Sequence, residues 1–221
     1  MITLDNLFDF LEDDLFLLKP LQKDLLKRYH HIINSYRGRI NMISRRDVDH
    51  LAERHFLTCL SLCRELQSYN FSRILDIGSG AGFPGIIIQI IFPDIEMVLL
   101  ESIRKKAILL NNTCKQLNLS AQVVCERAEY YSAHSTKNFD IVVARAVSVM
   151  DHLWRWSTTV LKPSGYLMAM KGGDCTREFE WLKKQNLDFR QITTPDSWRS
   201  FSSYLETKYI IAVKKADNMR R

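Results

Sequence analysis

Four charged side chains stand at the ends of short apolar runs, where a parallel sheet would gather them. Asp76 and Glu101 can accept hydrogen bonds or hold a cation, and Arg145 and Lys171 can hold an anion or orient a polar group. Asp76 lies within Arg73-Ile-Leu-Asp-Ile-Gly-Ser-Gly-Ala-Gly-Phe-Pro-Gly85, a run that places an apolar strand, a carboxylate and three alternating glycines in succession. Gly78, Gly80 and Gly82 allow a tight turn and a close backbone approach to a nucleotide. Glu101 closes the second strand roughly twenty residues later, where an acid can accept hydrogen bonds from ribose hydroxyls. Such a pair of features suits an adenosine ligand.

Asp76 narrows the ligand further. A carboxylate at that strand end can hold an ammonium group, or it can cap the following turn. A nicotinamide dinucleotide has no ammonium there and its pyrophosphate would be repelled, whereas S-adenosylmethionine carries one on its methionine tail. Gly80-Ala-Gly82-Phe-Pro-Gly85 does satisfy the dinucleotide pattern G-x-G-x-x-G. Its register is wrong, because the first glycine of that pattern should directly follow the strand and Gly78 has that place. A NAD-dependent oxidoreductase is the alternative reading of this turn.

These residues need elements to position them, and the periodicity divides the chain in two. Over residues 1–72 the pattern is helical: Leu4, Leu7, Phe8 and Leu11, then Leu21, Leu25, Leu26, Tyr29, Ile32 and Ile33, recur at three- and four-residue spacing, with Pro20 placed to open the second helix. Over residues 73–221 short apolar runs alternate with helical stretches. Strands are expected at Arg73 to Ile77, Glu96 to Glu101, Gln122 to Cys125, Phe139 to Arg145 and Gly165 to Lys171, with Pro163-Ser-Gly165 as the turn before the last. That alternation predicts an α/β fold with a mostly parallel sheet and right-handed crossovers. Phe189 to Thr193 and Lys208 to Val213, with no helical stretch read between them, should pair as an antiparallel hairpin at one end of the sheet. Leu153, Trp154, Trp156 and Val160 are expected to pack the crossover helix onto it.

Composition bounds the setting. At 221 residues and 46% hydrophobic content, the chain suits one large α/β domain with a helical N-terminal extension. Ile86 to Phe92 is interrupted by Gln89 and stopped by Pro93, and the acidic start is unlike a secretory signal, so a cytoplasmic protein that does not span a membrane is expected. The five cysteines include no C-x-x-C pair, and Cys59 and Cys63 sit one helical turn apart in an apolar stretch, as small buried residues do. Neither a metal nor a disulfide is expected. The net charge of +6 is uneven: Lys23, Lys27, Arg28, Arg37, Arg39, Arg45 and Arg46 face only Asp24 within residues 23–46. Such a segment can neutralise phosphates, or it can be a solvated helix face.

The block from Ile74 to Gly85, then Leu99-Leu-Glu-Ser102, Arg127-Ala-Glu129, Ala144-Arg-Ala146 and Ala169-Met-Lys-Gly172, resembles the RsmG (GidB) family of bacterial 16S ribosomal RNA guanine-N7 methyltransferases. Upstream, Arg39-Ile-Asn-Met-Ile-Ser-Arg-Arg-Asp47 and Arg54-His-Phe-Leu57 are similar to the same family's N-terminal signatures. The resemblance implies a class I methyltransferase fold (Rossmann-like, seven-stranded), S-adenosyl-L-methionine as donor, and 16S ribosomal RNA or the small ribosomal subunit as partner. A monomer is expected. It further implies that Gly78 and Phe83 contact the cofactor in the glycine turn, Ala128 and Glu129 its adenine side, and Arg145 the region of the methyl donor. Asn41, Arg54 and His55 become candidate RNA-side or active-site-lid residues. Glu101 replaces the family's aspartate, Tyr36-Arg37 its Trp-Asn pair, and Thr58 the aspartate that follows Arg-His. A ribosome-binding protein that keeps the donor pocket without catalysis is the second alternative.

Methyl transfer from a sulfonium is an in-line displacement, accelerated mainly by near-attack positioning. Acceptors that carry a proton usually need help in losing it. The Asn/Asp-Pro-Pro-aromatic motif of exocyclic-amine methyltransferases is replaced by Ala144-Arg-Ala-Val147, and the chain has no Pro-Cys dipeptide for a cytosine C5 nucleophile. Guanine N7 presents a lone pair and no proton. Arg145 cannot act as a base at ordinary pH, and its candidate roles are to orient the guanine edge, grip a phosphate or contact the donor. Lys171 has the corresponding place on the fifth strand.

Overall fold

The computed structural model describes residues 2–36, 47–136 and 138–217. Helix α1 (Leu4–Asp13) starts where Thr3 accepts the Asn6 N–H and the Asn6 side chain accepts the Thr3 N–H, a reciprocal cap that satisfies two otherwise unpaired donors. Helix α2 (Pro20–Ser35) opens on the proline, as its fixed φ favours. A 3-10 turn (Val48–His50) and a π-helix (Ala52–Leu57) then lead into α3 (Thr58–Leu66).

The rest alternates as the periodicity predicts: β1 (Arg73–Ile77), α4 (Gly85–Ile91), β2 (Glu96–Leu100), α5 (Arg104–Gln116), β3 (Gln122–Val124), α6 (Ala128–His134), β4 (Phe139–Arg145), α7 (Met150–Val160), β5 (Leu161–Gly172), α8 (Thr176–Lys184), β6 (Asp188–Thr193), α9 (Asp196–Phe201), a 3-10 turn (Ser203–Thr207) and β7 (Lys208–Lys214). Among the described residues seven strands form one sheet in the order β3-β2-β1-β4-β5-β7-β6. Strands β1 to β5 run parallel, and β7 is antiparallel to both β5 and β6. The order steps outward from β1 to β3 on one side and to β4 on the other, so the switch lies between β1 and β4. A crevice outside the carboxyl ends of the strands opens at such a point, and ligands gather there.

Two apolar layers flank the sheet. One face packs against α1 to α5, the π-helix and α9, through Leu7, Tyr29, Phe56, Leu60, Ile86, Leu110 and Trp198 among others. The opposite face packs against α6, α7 and α8, through Tyr131, Leu153, Trp154 and Leu182. The N-terminal helices therefore share one continuous core with the sheet. Cys59 and Cys63 are buried there as free thiols. None of the helices is long and apolar enough to cross a membrane among the described residues.

Three local expectations are corrected. The connection between β6 and β7 is helical: α9 and the turn after it are short and polar, and what holds them is tertiary, with Trp198 fully buried and Phe201 stacked on Phe10 at 4.1 Å. Strand β5 starts at Leu161 rather than Gly165, its register shifting between Phe139↔Leu161 and Ile141↔Tyr166 where Ser164 takes a φ of 58°. The shift is a bulge, so the Pro-Ser-Gly turn sits inside the strand. Leu21 is 66% exposed, off the stripe formed by Leu26, Tyr29, Ile32 and Ile33.

Candidate functional site

The glycine turn leaves β1 at the switch between β1 and β4, and backbone bonds fix it. Gly78 and Ser79 both donate to the Leu100 carbonyl (2.8 and 3.0 Å), and Gly82 donates to that of Ser79. From below, the Tyr29 hydroxyl donates to the Ala81 carbonyl at 2.9 Å, so α2 helps to hold the turn. Gly78 has a φ of 70°, and a Cβ there would come within 2.6 Å of Val147 Cγ2 on the loop after β4. Only glycine lets the two loops approach so closely. Gly82 is glycine for another reason, because a Cβ there would strike Ile86 at 2.5 Å and the Tyr29 hydroxyl at 2.9 Å. In the shifted dinucleotide pattern that glycine should face a pyrophosphate, but here it faces packed protein.

A cleft of about 160 Å³ opens beside Gly78, lined by Ser102, Ala128, Glu129, Val147 and Trp156. The fold thus brings Gly78, after β1, together with Ala128 and Glu129, at the start of α6. Val147 and Trp156 are additions. Trp154 is buried in the core of α7, whereas Trp156, two positions on, is turned toward the cleft and only half-buried. The apolar walls and converging backbone suit a flat, uncharged ring system such as adenine.

Glu101 stands at the β2 end and is 5% exposed. Its Oε2 accepts the Gly80 N–H at 2.9 Å and its Oε1 accepts the Ile103 N–H at 2.8 Å, so the acid ties the glycine turn to the start of α5. Asp76 is fully buried beneath the turn, and its Oδ2 accepts the Gly85 N–H at 3.0 Å at the start of α4. That is the turn-capping arrangement. Its Oδ1 is buried without a hydrogen-bond partner among the described residues. Burial raises the Asp76 carboxyl to about 7, although the Gly85 bond pulls it down.

The folded protein keeps a proton on Asp76 that the unfolded chain releases near pH 4, so the proton's stabilisation is lost as pH rises through about 7. Each unit of the rise is worth about 1.4 kcal/mol, so up to about 4 kcal/mol is at stake. Asp76→Asn should flatten the fall in urea-unfolding stability between pH 4 and 8. A parental slope in that variant would assign the pH dependence to another group.

Arg145 ends β4 on the same face as Ile141 and Val143, toward the π-helix. Its Nη2 donates to the Arg54 carbonyl at 2.7 Å, and its Nη1 donates to His55 Nδ1 at 3.0 Å and reaches Cys59 Sγ at 3.7 Å. A π-helix turn of this kind is frequent at functional sites, and here it presents the Arg54 carbonyl to the guanidinium. Because Arg145 can only donate, His55 Nδ1 is the acceptor and the imidazole proton lies on Nε2. Burial first, and the Arg145 charge second, lower His55 to about 3. Phe83 is packed beside them, 4.9 Å from the His55 ring and 6.0 Å from the Arg145 guanidinium. Immediately after Arg145, Ala146 takes a φ of 55°, a sparsely populated conformation for a non-glycine residue that concentrates at functional sites.

Lys171 is not brought to this group. Met170 faces the N-terminal helices, so alternation turns Lys171 to the other face, where its Nζ donates to Glu178 Oε1 at 2.7 Å and to the Ser148 carbonyl at 2.8 Å. Glu178 Oε1 also accepts the Met150 N–H. Lys171 therefore anchors the loop that carries Val147, and its expected catalytic place beside Arg145 is corrected to a supporting one.

On the N-terminal side, the Arg54 side chain donates to Asp47 Oδ1 at 2.6 Å. Thr58, in the place of the family's aspartate, donates back to the Arg54 carbonyl at 3.0 Å. Asn41, Arg37, Arg39, Arg45 and Arg46 lie outside the described residues. Within the described part of the basic segment, Lys23 pairs with Glu12, Lys27 with Asp5 and Arg28 with Asp24, so α1 supplies acids that the local count missed. No group of three or more His, Cys, Asp and Glu side chains placed to hold a metal occurs among the described residues.

Known proteins agree with this architecture. Among solved structures, the chain resembles the plantazolicin methyltransferase BpumL in complex with SAH (TM-score 0.59, 14% identity, 90% of this chain and 100% of that one). It also resembles the precorrin-6y C5,15-methyltransferase of Geobacter metallireducens (TM-score 0.55, 16% identity, 79% and 91%). At such identities the likeness establishes the methyltransferase fold. Sequence relatives are nearer: the ribosomal RNA small subunit methyltransferase G of Caldanaerobacter subterraneus subsp. tengcongensis is 30% identical over 209 residues, covering 90% of this chain and 84% of its own. The protein of the same name from Mesoplasma florum is 32% identical over 190 residues, covering 85% and 79%. The model of the family GidB, described as rRNA small subunit methyltransferase G, matches residues 22–195, and by that span and these relatives the chain belongs to this family.

Proposed function

We propose that this chain is a cytoplasmic ribosomal RNA methyltransferase that uses S-adenosyl-L-methionine to methylate N7 of a guanine in 16S ribosomal RNA. The observation that carries the acceptor assignment is the chemistry around Arg145. Its guanidinium donates and cannot accept a proton, and it occupies Nδ1 of His55, whose depressed pKa keeps the ring neutral. Asp76, the other perturbed group at the turn, is sealed beneath it against Gly85. A site that offers donors in place of a base suits an acceptor with a free lone pair and no proton to lose.

Bound S-adenosylmethionine would supply a methyl group on an electrophilic sulfonium. Glu101 would grip the ribose, Ala128 and Glu129 would line the adenine side with Val147 and Trp156, and Gly78 would let the backbone close on the ligand. Arg145 would orient the guanine by donating to its O6, which leaves the N7 lone pair free to attack the methyl group. Binding and alignment would supply most of the acceleration.

Mass mapping of 16S ribosomal RNA, incubated as naked RNA and as the small subunit with donor and protein, is the test. A single guanine gaining one methyl group at N7 is the expected result, and a methyl group on any other atom would refute the acceptor assignment. In a parallel thermal-shift measurement S-adenosylhomocysteine should raise the melting temperature and NAD should not. The reverse pattern would favour the oxidoreductase. Donor binding without methylation of either RNA form would favour the silent ribosome-binding protein.

A further inference from the structure

The helical connection between β6 and β7 carries Tyr204 to a place that neither the glycine turn nor the N-terminal signatures mark. Lys208 opens β7 opposite Gly172, the last residue of β5, so it stands at the carboxyl edge of the parallel strands. Its side chain lies across Gly172, where a Cβ would come within 2.8 Å of Lys208 Cδ and Nζ. The Lys208 ammonium sits 4.5 Å from the centre of the Tyr204 ring, and the Arg54 guanidinium sits 5.6 Å from that same ring. The Arg145 charge also acts on the Tyr204 hydroxyl, opposing the rise that burial gives its pKa. Three cations from the π-helix, β4 and β7 thus meet around one tyrosine.

The charge balance there is lopsided. Asp47 answers Arg54, and Glu53 is engaged by the Ser202 hydroxyl and by His50. Lys208 has no carboxylate partner among the described residues. Burial lowers its pKa, and the charges of Arg145 and Arg54 lower it further, so it sits among like charges with Asp47 as the opposing influence. Cations held together in this way, half-buried and braced on an aromatic ring, are preorganised for an anion that would relieve their repulsion.

We propose that Arg54 and Lys208, held in place by Tyr204, bind a backbone phosphate of the acceptor RNA. This rests on the ribosomal RNA reading of the site. The other anion within reach in principle is the carboxylate of the donor's methionine tail. Position favours the phosphate: β7 lies three strands from β1 in the order β1-β4-β5-β7, roughly 14 Å at the ordinary spacing between strands, so the cluster stands on the far side of Arg145 from the glycine turn. Ser202 and Phe201 tie the connection to the π-helix and α1, which makes the cluster a fixed part of the fold.

The test compares the parent with Lys208→Gln and Lys208→Arg, using 16S ribosomal RNA and small subunits as the binding probes and S-adenosylhomocysteine as the donor probe. Lys208→Gln should weaken RNA binding about three- to tenfold near 0.1 M salt and reduce the slope of log affinity against log salt by roughly 0.7 to 0.9, the value of one phosphate contact. Donor affinity should stay within twofold, and Lys208→Arg should restore RNA binding. A parental affinity and salt slope in a Lys208→Gln protein with the parent's melting temperature would overturn the proposal. So would a loss of donor affinity with RNA binding intact, which would give the cluster to the methionine carboxylate. Parental methylation of the RNA is followed in the same preparations: if it occurs while the Lys208→Gln slope is unchanged, only this site falls, whereas a parent that neither binds nor methylates RNA overturns the ribosomal RNA reading and this site with it.

Discussion

Replacing Arg145 with alanine should lower kcat/KM for ribosomal RNA methylation by about a hundred- to a thousandfold, the range lost when one preorganised donor is removed from a reacting centre. The residue ends β4 beside the switch between β1 and β4, and two of its nitrogens are already fixed by His55 and the Arg54 carbonyl. That fixation is why Arg145→Lys should recover little: an ammonium can bond one of the two acceptors but cannot span both in the plane of a guanidinium. Removing the guanidinium also strands acceptors in a part-buried setting, at about 1 to 3 kcal/mol. Stability must therefore be measured beside activity. A well-folded Arg145→Ala protein with methylation within tenfold of the parent would take Arg145 out of the chemistry.

Glu101 should show the second large effect. If its carboxylate grips the ribose hydroxyls, Glu101→Ala should weaken S-adenosylhomocysteine binding by about 1.5 to 3 kcal/mol, or roughly ten- to a hundredfold, in calorimetry. The alanine variant has a second consequence, because the Gly80 and Ile103 N–H groups both lose their acceptor and the glycine turn loses its tie to α5. Glu101→Gln separates the two. It keeps an oxygen for one N–H but removes the charge, so the turn should survive while the charge-assisted part of donor binding is lost. Donor affinity equal to the parent's in both variants would leave Glu101 with a purely structural role.

The sequence by itself determined the features whose physics is local. Three glycines after an apolar strand demand a tight turn whatever packs around them, and Gly78 and Gly82 do take positive φ. Short apolar runs placed β1 and β4 at their observed bounds and period-3.6 spacing located α1 and α2, whereas the antiparallel pairing of β6 with β7 was expected from a connection without helix and holds although α9 lies between them. Asp76, Glu101 and Arg145 were legible as strand-end residues because a parallel sheet collects its carboxyl ends at one edge.

Only the tertiary structure decided which way those residues face and whom they meet. Strand β5 is buried on both faces, so Leu167, Met168, Ala169 and Met170 are apolar alike and alternation cannot say which side Lys171 takes. Packing against α8 gives it to Glu178. Asp76 was open between an ammonium partner and a cap until α4 docked and presented the Gly85 N–H. His55 and Arg145 are separated by 90 positions in the chain and meet through a π-helix that no propensity marks. The same holds for α9 and Tyr204, whose segment is too short and polar to be a helix unless Trp198 and Phe201 pack against Phe10 of α1. Turn chemistry and periodicity are written in neighbouring residues, whereas the direction of a side chain at a site is fixed by contacts between elements far apart in the chain.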